Sequence, residues 1–156
     1  MEKMVVTNEE FFAPVLEMLD AGHRVTIPVK GYSMLPFIRG QKDLVVLEKA
    51  GEDVRPDDIV LFRCGGRYVM HRILSVDGDA VDIMGDGVPF NHEHVTRNQI
   101  LARAVTILRN GEKAVDPYAP SELRKVHLWQ RIRPLRRYIL YIYRHLPWNR
   151  SWIKGE

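Results

Sequence analysis

Arg24-Val25-Thr26-Ile27-Pro28-Val29-Lys30-Gly31-Tyr32-Ser33-Met34-Leu35-Pro36 is the stretch on which the fold turns. Its first half sets Val25, Ile27 and Val29 against Arg24, Thr26 and Lys30, the period of two that a half-buried strand requires. Gly31 permits a tight exit from that strand and Pro36 stiffens the far side. Ser33 therefore stands on a turn, with Met34 available to pack into the floor of a cleft. Two readings of such a serine are open. Its hydroxyl bonds its own backbone, as turn serines do, or it is a nucleophile that needs a base.

Upstream, Thr7-Asn8-Glu9-Glu10 has the spacing of a capping box, and Phe11, Phe12, Val15, Leu16 and Leu19 recur at helical intervals. Pro14 is tolerable near the first turn and Ala21-Gly22 supplies the stop, so a helix over 8–21 is expected to pack on a sheet. Downstream, β-rich runs at 44–47, 58–63, 68–76, 80–84 and 100–108 are separated by glycine, proline or aspartate turns. Asn110-Gly111 is a two-residue hairpin signal leading into 112–115. Asp116-Pro117-Tyr118-Ala119-Pro120 then ends the sheet region, because prolines so close together cannot continue a ladder. The expectation is a mainly β (α+β) domain over 1–120, followed by a basic helical tail over 121–156. In that tail Leu128, Ile132, Leu135, Ile139, Ile142 and Leu146 fall on one helical face, with Pro134 dividing the helix.

At 156 residues, 46% hydrophobic and 28% charged, the chain can bury a core without disulfides or metal. Cys64 is its only cysteine, which excludes an internal disulfide and any multi-cysteine metal site. The net charge of +3 is unevenly placed. From Ser121 onward nine Lys/Arg face two acids, a balance of +7 that leaves −4 for the first 120 residues. Neither a signal peptide nor an apolar run of about 20 residues is visible.

Two further segments could complete a site. His71, in Tyr68-Val69-Met70-His71-Arg72-Ile73-Leu74, carries an imidazole, the side chain suited to general-base work near neutral pH, and would be held firmly by a strand; it also reads as an ordinary sheet histidine. Asp86, in Ile83-Met84-Gly85-Asp86-Gly87, is an acid beside flexible glycines. It could orient an imidazole or simply serve a turn. His92-Glu93-His94 invites a metal reading, but two imidazoles two residues apart point to opposite faces of an extended segment. No metal or other cofactor is expected.

Taken in order, Gly-Tyr-Ser-Met-Leu-Pro, Pro56-Asp57-Asp58-Ile59-Val60-Leu61-Phe62, His71-Arg72-Ile73 and Gly85-Asp86 resemble the signal peptidase superfamily, which includes the self-cleaving domains of LexA-type repressors. The histidine matches the archaeal and endoplasmic-reticulum form rather than the lysine form. The resemblance implies a LexA/signal-peptidase-like coiled β-sheet core, with Ser33 as nucleophile, His71 as base and Asp86 as third member. It also implies the Ser33 amide in the oxyanion hole, Met34 and Pro36 beside the substrate, and a peptide or protein substrate bound as an extended strand. A second acid expected beyond Gly-Asp is matched only out of register, by Glu93. The family's N-terminal membrane anchor is replaced by the helix over 8–21, which argues against a general secretory precursor and for a cytoplasmic location. The alternative is a catalytically inactive protease-like domain that binds an extended peptide or partner. For the tail over 121–156, packing on the body comes first and an anionic membrane surface second, given Trp129, Trp148 and Trp152 among arginines. Nucleic acid comes last, since no helix-turn-helix precedes the site.

Overall fold

The computed structural model describes residues 8–88 and 91–145. The N-terminal helix α1 (Asn8–Asp20) precedes strands β1 (Val25–Pro28), β2 (Leu44–Lys49), β3 (Ile59–Cys64), β4 (Arg67–Asp77), β5 (Ala80–Met84), β6 (Glu93–Thr96), β7 (Ile100–Arg109) and β8 (Lys113–Val115). Helices α2 (Pro120–Arg131) and α3 (Arg136–His145) follow, separated by a 3-10 turn at Arg133–Leu135. All eight strands join one antiparallel sheet in the order β1-β2-β7-β3-β4-β5-β6, with β8 on β7. Register shifts at Val46/Leu47, Leu61/Phe62 and Ile73/Ser75 supply the local bends by which a sheet coils. The mainly β, α+β architecture expected from the sequence is the one observed. Thr7, Leu146, Trp148 and Trp152 lie outside the described residues, and with them the capping box and part of the tail.

Three apolar clusters hold the elements together. Val15 and Leu19 of α1 pack with Ile27, Met34, Val45, Leu61, Tyr68, Ala102 and Ile107, flanked by Phe11, Phe12 and Leu16. Val60, Phe62, Ile73, Ile83 and Val95 form a second cluster on β3 to β6. Leu35 and Phe37, from the loop after β1, are buried against Val126, Trp129 and Leu140 of α2 and α3. The helical tail thus packs on the body through Val126, Trp129 and Leu140, with Ile132 of the stripe picked out by sequence spacing partly buried beside them, while the other described members of that stripe face outward. Leu128, Leu135, Ile139 and Ile142 are all exposed.

Strand β6 was not foreseen. Only Val95 of its four residues is buried, so an edge strand of this kind carries almost no period-two hydrophobic signal. Its pairing with β5, Ile83 opposite Glu93 and Val81 opposite Val95, sets the position of an acid discussed below.

A buried carboxylate fixes the far end of the Ser33 loop. Asp43, whose side chain is 0% exposed, accepts from Arg39 N (2.8 Å), Arg39 Nη2 (3.1 Å), Asn110 N (3.1 Å) and Arg109 Nη1 (3.0 Å). Arg109 also donates to the Phe37 carbonyl. Burial pushes the Asp43 pKa up, but these hydrogen bonds and the Arg39 charge outweigh it and hold the carboxyl below its ordinary value of 3.8. The stabilisation is therefore complete above the unfolded-state value and is lost as pH falls through the lower folded one. Asp43→Ala is expected to cost about 2 kcal/mol, less than a fully enclosed pair because Arg39 and Arg109 can rehydrate. Denaturant titration at neutral pH and in acid below pH 3.8 checks both points: the variant's deficit should shrink in acid.

Candidate active site

Ser33 stands on the bend after β1, where Gly31 takes φ +73°. Leu35 N bonds the Tyr32 carbonyl (3.2 Å), and Phe37 N and Ile38 N both bond the Met34 carbonyl (3.0 Å each). Met34, 2% exposed, is anchored among the residues that contact α1, whereas Ser33 is half-buried. A rigid neighbour and an accessible hydroxyl are what the turn provides.

Beneath this loop lies Gly85-Asp86-Gly87. Gly87 N donates to the Ser33 carbonyl at 2.7 Å. A Cβ on Gly87 would strike the Tyr32 carbonyl, and one on Gly85 would come within 2.5 Å of the Ser33 carbonyl and 2.9 Å of His71 Cδ2. Neither glycine has a positive φ. They are needed for close approach of two backbones, not for the flexibility that the sequence suggested. The Ser33 carbonyl and the His71 ring thus both lie beside Gly85.

His71 is carried by β4 and is 6% exposed, with the Phe62 ring 6.0 Å away. Arg72 pairs with Met84 in the β4–β5 register, which puts His71 opposite Gly85, one step beyond. Ile73, Ile83 and Glu93 lie side by side across three strands, and His71 shares their face. With no side chain at Gly85, Glu93 reaches across β5 until its Oε1 is 3.1 Å from His71 Nδ1. The contact is close but makes no hydrogen bond, and His71 Nδ1 and Glu93 Oε2 are buried without a hydrogen-bond partner.

Asp86, expected beside His71, is placed elsewhere. Arg72 Nε lies 2.9 and 3.1 Å from its two carboxylate oxygens and Arg72 Nη2 2.9 Å from Oδ2. Both residues are essentially sealed from solvent, at 1% and 2% exposure. Burial alone would lower the guanidinium pKa, but the Asp86 charge and hydrogen bonds raise it above the ordinary arginine value. Arg72 Nη1 also donates to the Asp57 carbonyl at 2.8 Å. A carboxylate held in this fork by a neighbour one residue from His71 is not free to take the imidazole.

Trp129 and Arg136, from the tail, reach the same loop. Trp129 Nε1 donates to the Asp86 carbonyl at 2.7 Å. Arg136, 1% exposed, donates to the Val88 carbonyl (3.4 Å) and Met84 Sδ (3.7 Å) and lies 5.4 Å over the Trp129 ring. Burial lowers its pKa from the ordinary value. No local sequence pattern indicates these contacts, which join residues some 40 to 50 positions apart.

Ser33 and Met34 line a groove of about 440 Å³ bounded by Phe12, Ile27 to Lys30 and Arg67 to Met70. Pro36, grouped with Met34 on sequence, turns the other way and lines a separate cavity of about 540 Å³ with Trp129 and Ile132. The cis Leu35–Pro36 peptide lies between these two sides of the loop. His92 and His94 do not diverge: both approach Asp82, at 3.1 and 3.3 Å. His92 precedes β6, where strand alternation does not apply. Among the described residues no group of three His, Cys, Asp or Glu is arranged to hold a metal.

No curated protein gives a significant match to the chain. Residues 3–107 match the family described as Peptidase S24-like, a span that contains Ser33, His71, Asp86 and Glu93 and stops short of α2. The match covers most of the chain and agrees with the resemblance to LexA-type and signal peptidase domains. The chain belongs to the Peptidase S24-like family.

Proposed function

We propose that the chain is a serine endopeptidase that cleaves a peptide or protein precursor, with Ser33 as nucleophile and His71 as general base. The observation that carries this reading is the convergence at Gly85: the Ser33 backbone and the His71 ring press on it from one side, and Glu93 approaches the imidazole from across it. In the reaction His71 Nε2 takes the Ser33 hydroxyl proton as Oγ attacks the scissile carbonyl. The oxyanion is received by the Ser33 amide, which bonds no backbone acceptor among the described residues. The imidazolium then protonates the leaving amine, and a water deprotonated by the same ring hydrolyses the acyl-enzyme. Glu93 orients the imidazole and stabilises its charged form, while Asp86 holds Arg72 and the loop in place.

The substrate lies extended in the groove beside Ser33. β1 is the terminal strand of the sheet, and a terminal strand offers main-chain donors and acceptors to an added peptide strand. The histidine base aligns the site with the archaeal and endoplasmic-reticulum signal peptidase form.

One observation favours a second reading, a domain of the same shape that binds an extended peptide without cutting it. No hydrogen bond joins Ser33 to His71 among the described residues. Free catalytic sites often show such loose contacts and tighten them only with substrate bound.

A fluorophosphonate probe separates the two readings. The wild-type chain should be labelled at Ser33, Ser33→Ala should not be labelled, and His71→Ala should be labelled about 10² to 10⁴ times more slowly. Folded protein that never labels would leave only the binding reading. A second pair of variants separates the acids. Glu93→Gln should slow labelling at least about tenfold with little change in stability. Asp86→Asn should instead lose about 3 kcal/mol in denaturant titration, because it leaves Arg72 buried and unpaired. The reverse pattern would return the orienting role to Asp86.

A further inference from the structure

The described part of the tail carries two apolar faces on one short helix, and among the described residues only one of them is packed against the body. Leu140 of α3 is 4% exposed and Tyr143 half-buried, against Trp129, Leu35 and Phe37. On the other side Leu135, Tyr138, Ile139 and Ile142 are 54%, 55%, 37% and 59% exposed. At 100° per residue Tyr138, Ile139 and Ile142 span about 100° of the circumference of α3, and Leu135 precedes them in the 3-10 turn. Tyr141, 65% exposed, follows Tyr138 by three residues on α3, and Leu128 of α2 is 62% exposed. Single exposed apolar residues are ordinary on a protein surface, but a contiguous aliphatic and aromatic strip is not.

Charge narrows what could cover it. Residues 121–145 hold seven Lys/Arg, of which Arg124, Lys125, Arg131 and Arg137 are exposed, against one acid, Glu122. Glu122 is already paired with Lys125 at 3.3 Å. A second copy of the chain would bring like charges together, because a two-fold interface sets the same surface against itself. Nucleic acid would satisfy the arginines but leave the aliphatic strip facing phosphates. A bilayer interface containing anionic lipid satisfies both: aliphatic side chains enter the acyl boundary, tyrosines sit at headgroup level, and arginines meet lipid phosphates. The sequence beyond α3, Pro147-Trp148-Asn149-Arg150-Ser151-Trp152-Ile153-Lys154, repeats this mixture of aromatic and basic residues. Among the described residues no helix is long and apolar enough to cross a membrane, so any attachment through α2 and α3 lies in the interface plane.

We infer that the exposed face of α2 and α3 docks this protein on the surface of an anionic bilayer. Leu135, Tyr138, Ile139 and Ile142 insert, and Arg124, Arg131 and Arg137 provide the electrostatic part. The face is separate from the one through which Trp129 contacts Asp86 and Arg136 contacts Met84 and Val88, so docking leaves those contacts in place.

Co-sedimentation of the full chain tests this, with vesicles of phosphatidylcholine alone and of phosphatidylcholine mixed with phosphatidylglycerol. Binding is expected to the mixed vesicles only, and to fall about tenfold or more between about 0.1 and 0.5 M NaCl. The double variant Ile139→Asp with Ile142→Asp should abolish it, and Arg137→Gln should weaken it about fivefold. Both positions of the double variant are exposed, so its melting temperature and its Ser33 labelling should match the wild type. That labelling separates failure of this inference from failure of the proposed catalysis. Three results would overturn the inference: equal binding to neutral vesicles, undiminished binding by the double variant, or a dimer in light scattering that the double variant dissolves.

Discussion

Arg72 and Asp86 are two charges with almost no water around them, and a pair in that state survives only if each remaining donor and acceptor is satisfied. The consequences extend in every direction from the pair. Arg72 spends its third donor on the Asp57 carbonyl, which ties the turn before β3 to β4. Asp86 has its main-chain carbonyl bonded by Trp129, which ties the loop to α2. The glycines on either side of Asp86 bring its backbone so close to the Ser33 loop that neither position has room for a Cβ. The ion pair therefore sets the height of a platform on which both the proposed nucleophile and the proposed base rest.

This role explains why an acid flanked by glycines is ambiguous in sequence. Gly-Asp-Gly reads equally well as a turn or as a catalytic acid with slack around it, and the deciding fact, a guanidinium 14 residues away, is a tertiary contact. Glu93 is obscure for a related reason. Its approach to His71 depends on the β5–β6 register and on the empty position at Gly85, neither of which shows in a segment that reads Glu-His-Val-Thr. By contrast, elements whose cause is local were legible. β5 falls on the β-rich run marked at 80–84, the Asn110-Gly111 turn joins β7 to β8, and α1 spans the predicted helix to within one residue at its end.

The tail teaches the opposite lesson about periodicity. Of the described stripe residues Ile132 packs on the body beside Val126, Trp129, Leu140 and a buried arginine, whereas Leu128, Leu135, Ile139 and Ile142 are exposed. Hydrophobic spacing identifies an amphipathic helix but not which partner its apolar face meets. Here the buried face also carries two polar contacts, the Trp129 indole to the Asp86 carbonyl and the Arg136 guanidinium to the Val88 carbonyl.

The boundary of the family match adds a last step. Residues 3–107 contain every side chain proposed to take part in the chemistry, but the loop beneath them is held from outside that span by Trp129 and Arg136. Arg136 keeps its charge in an environment that lowers its pKa and has a buried Nε with no partner, a cost that surface placement would avoid. Such a cost is tolerated where the arginine closes a gap that an apolar side chain could not, here by reaching a carbonyl and a thioether on the loop after β5 while covering the Trp129 ring. The tail is thus a structural part of the candidate active site. A change in how α2 and α3 sit on the body would be felt first at Asp86, and through the glycines beside it at Ser33 and His71.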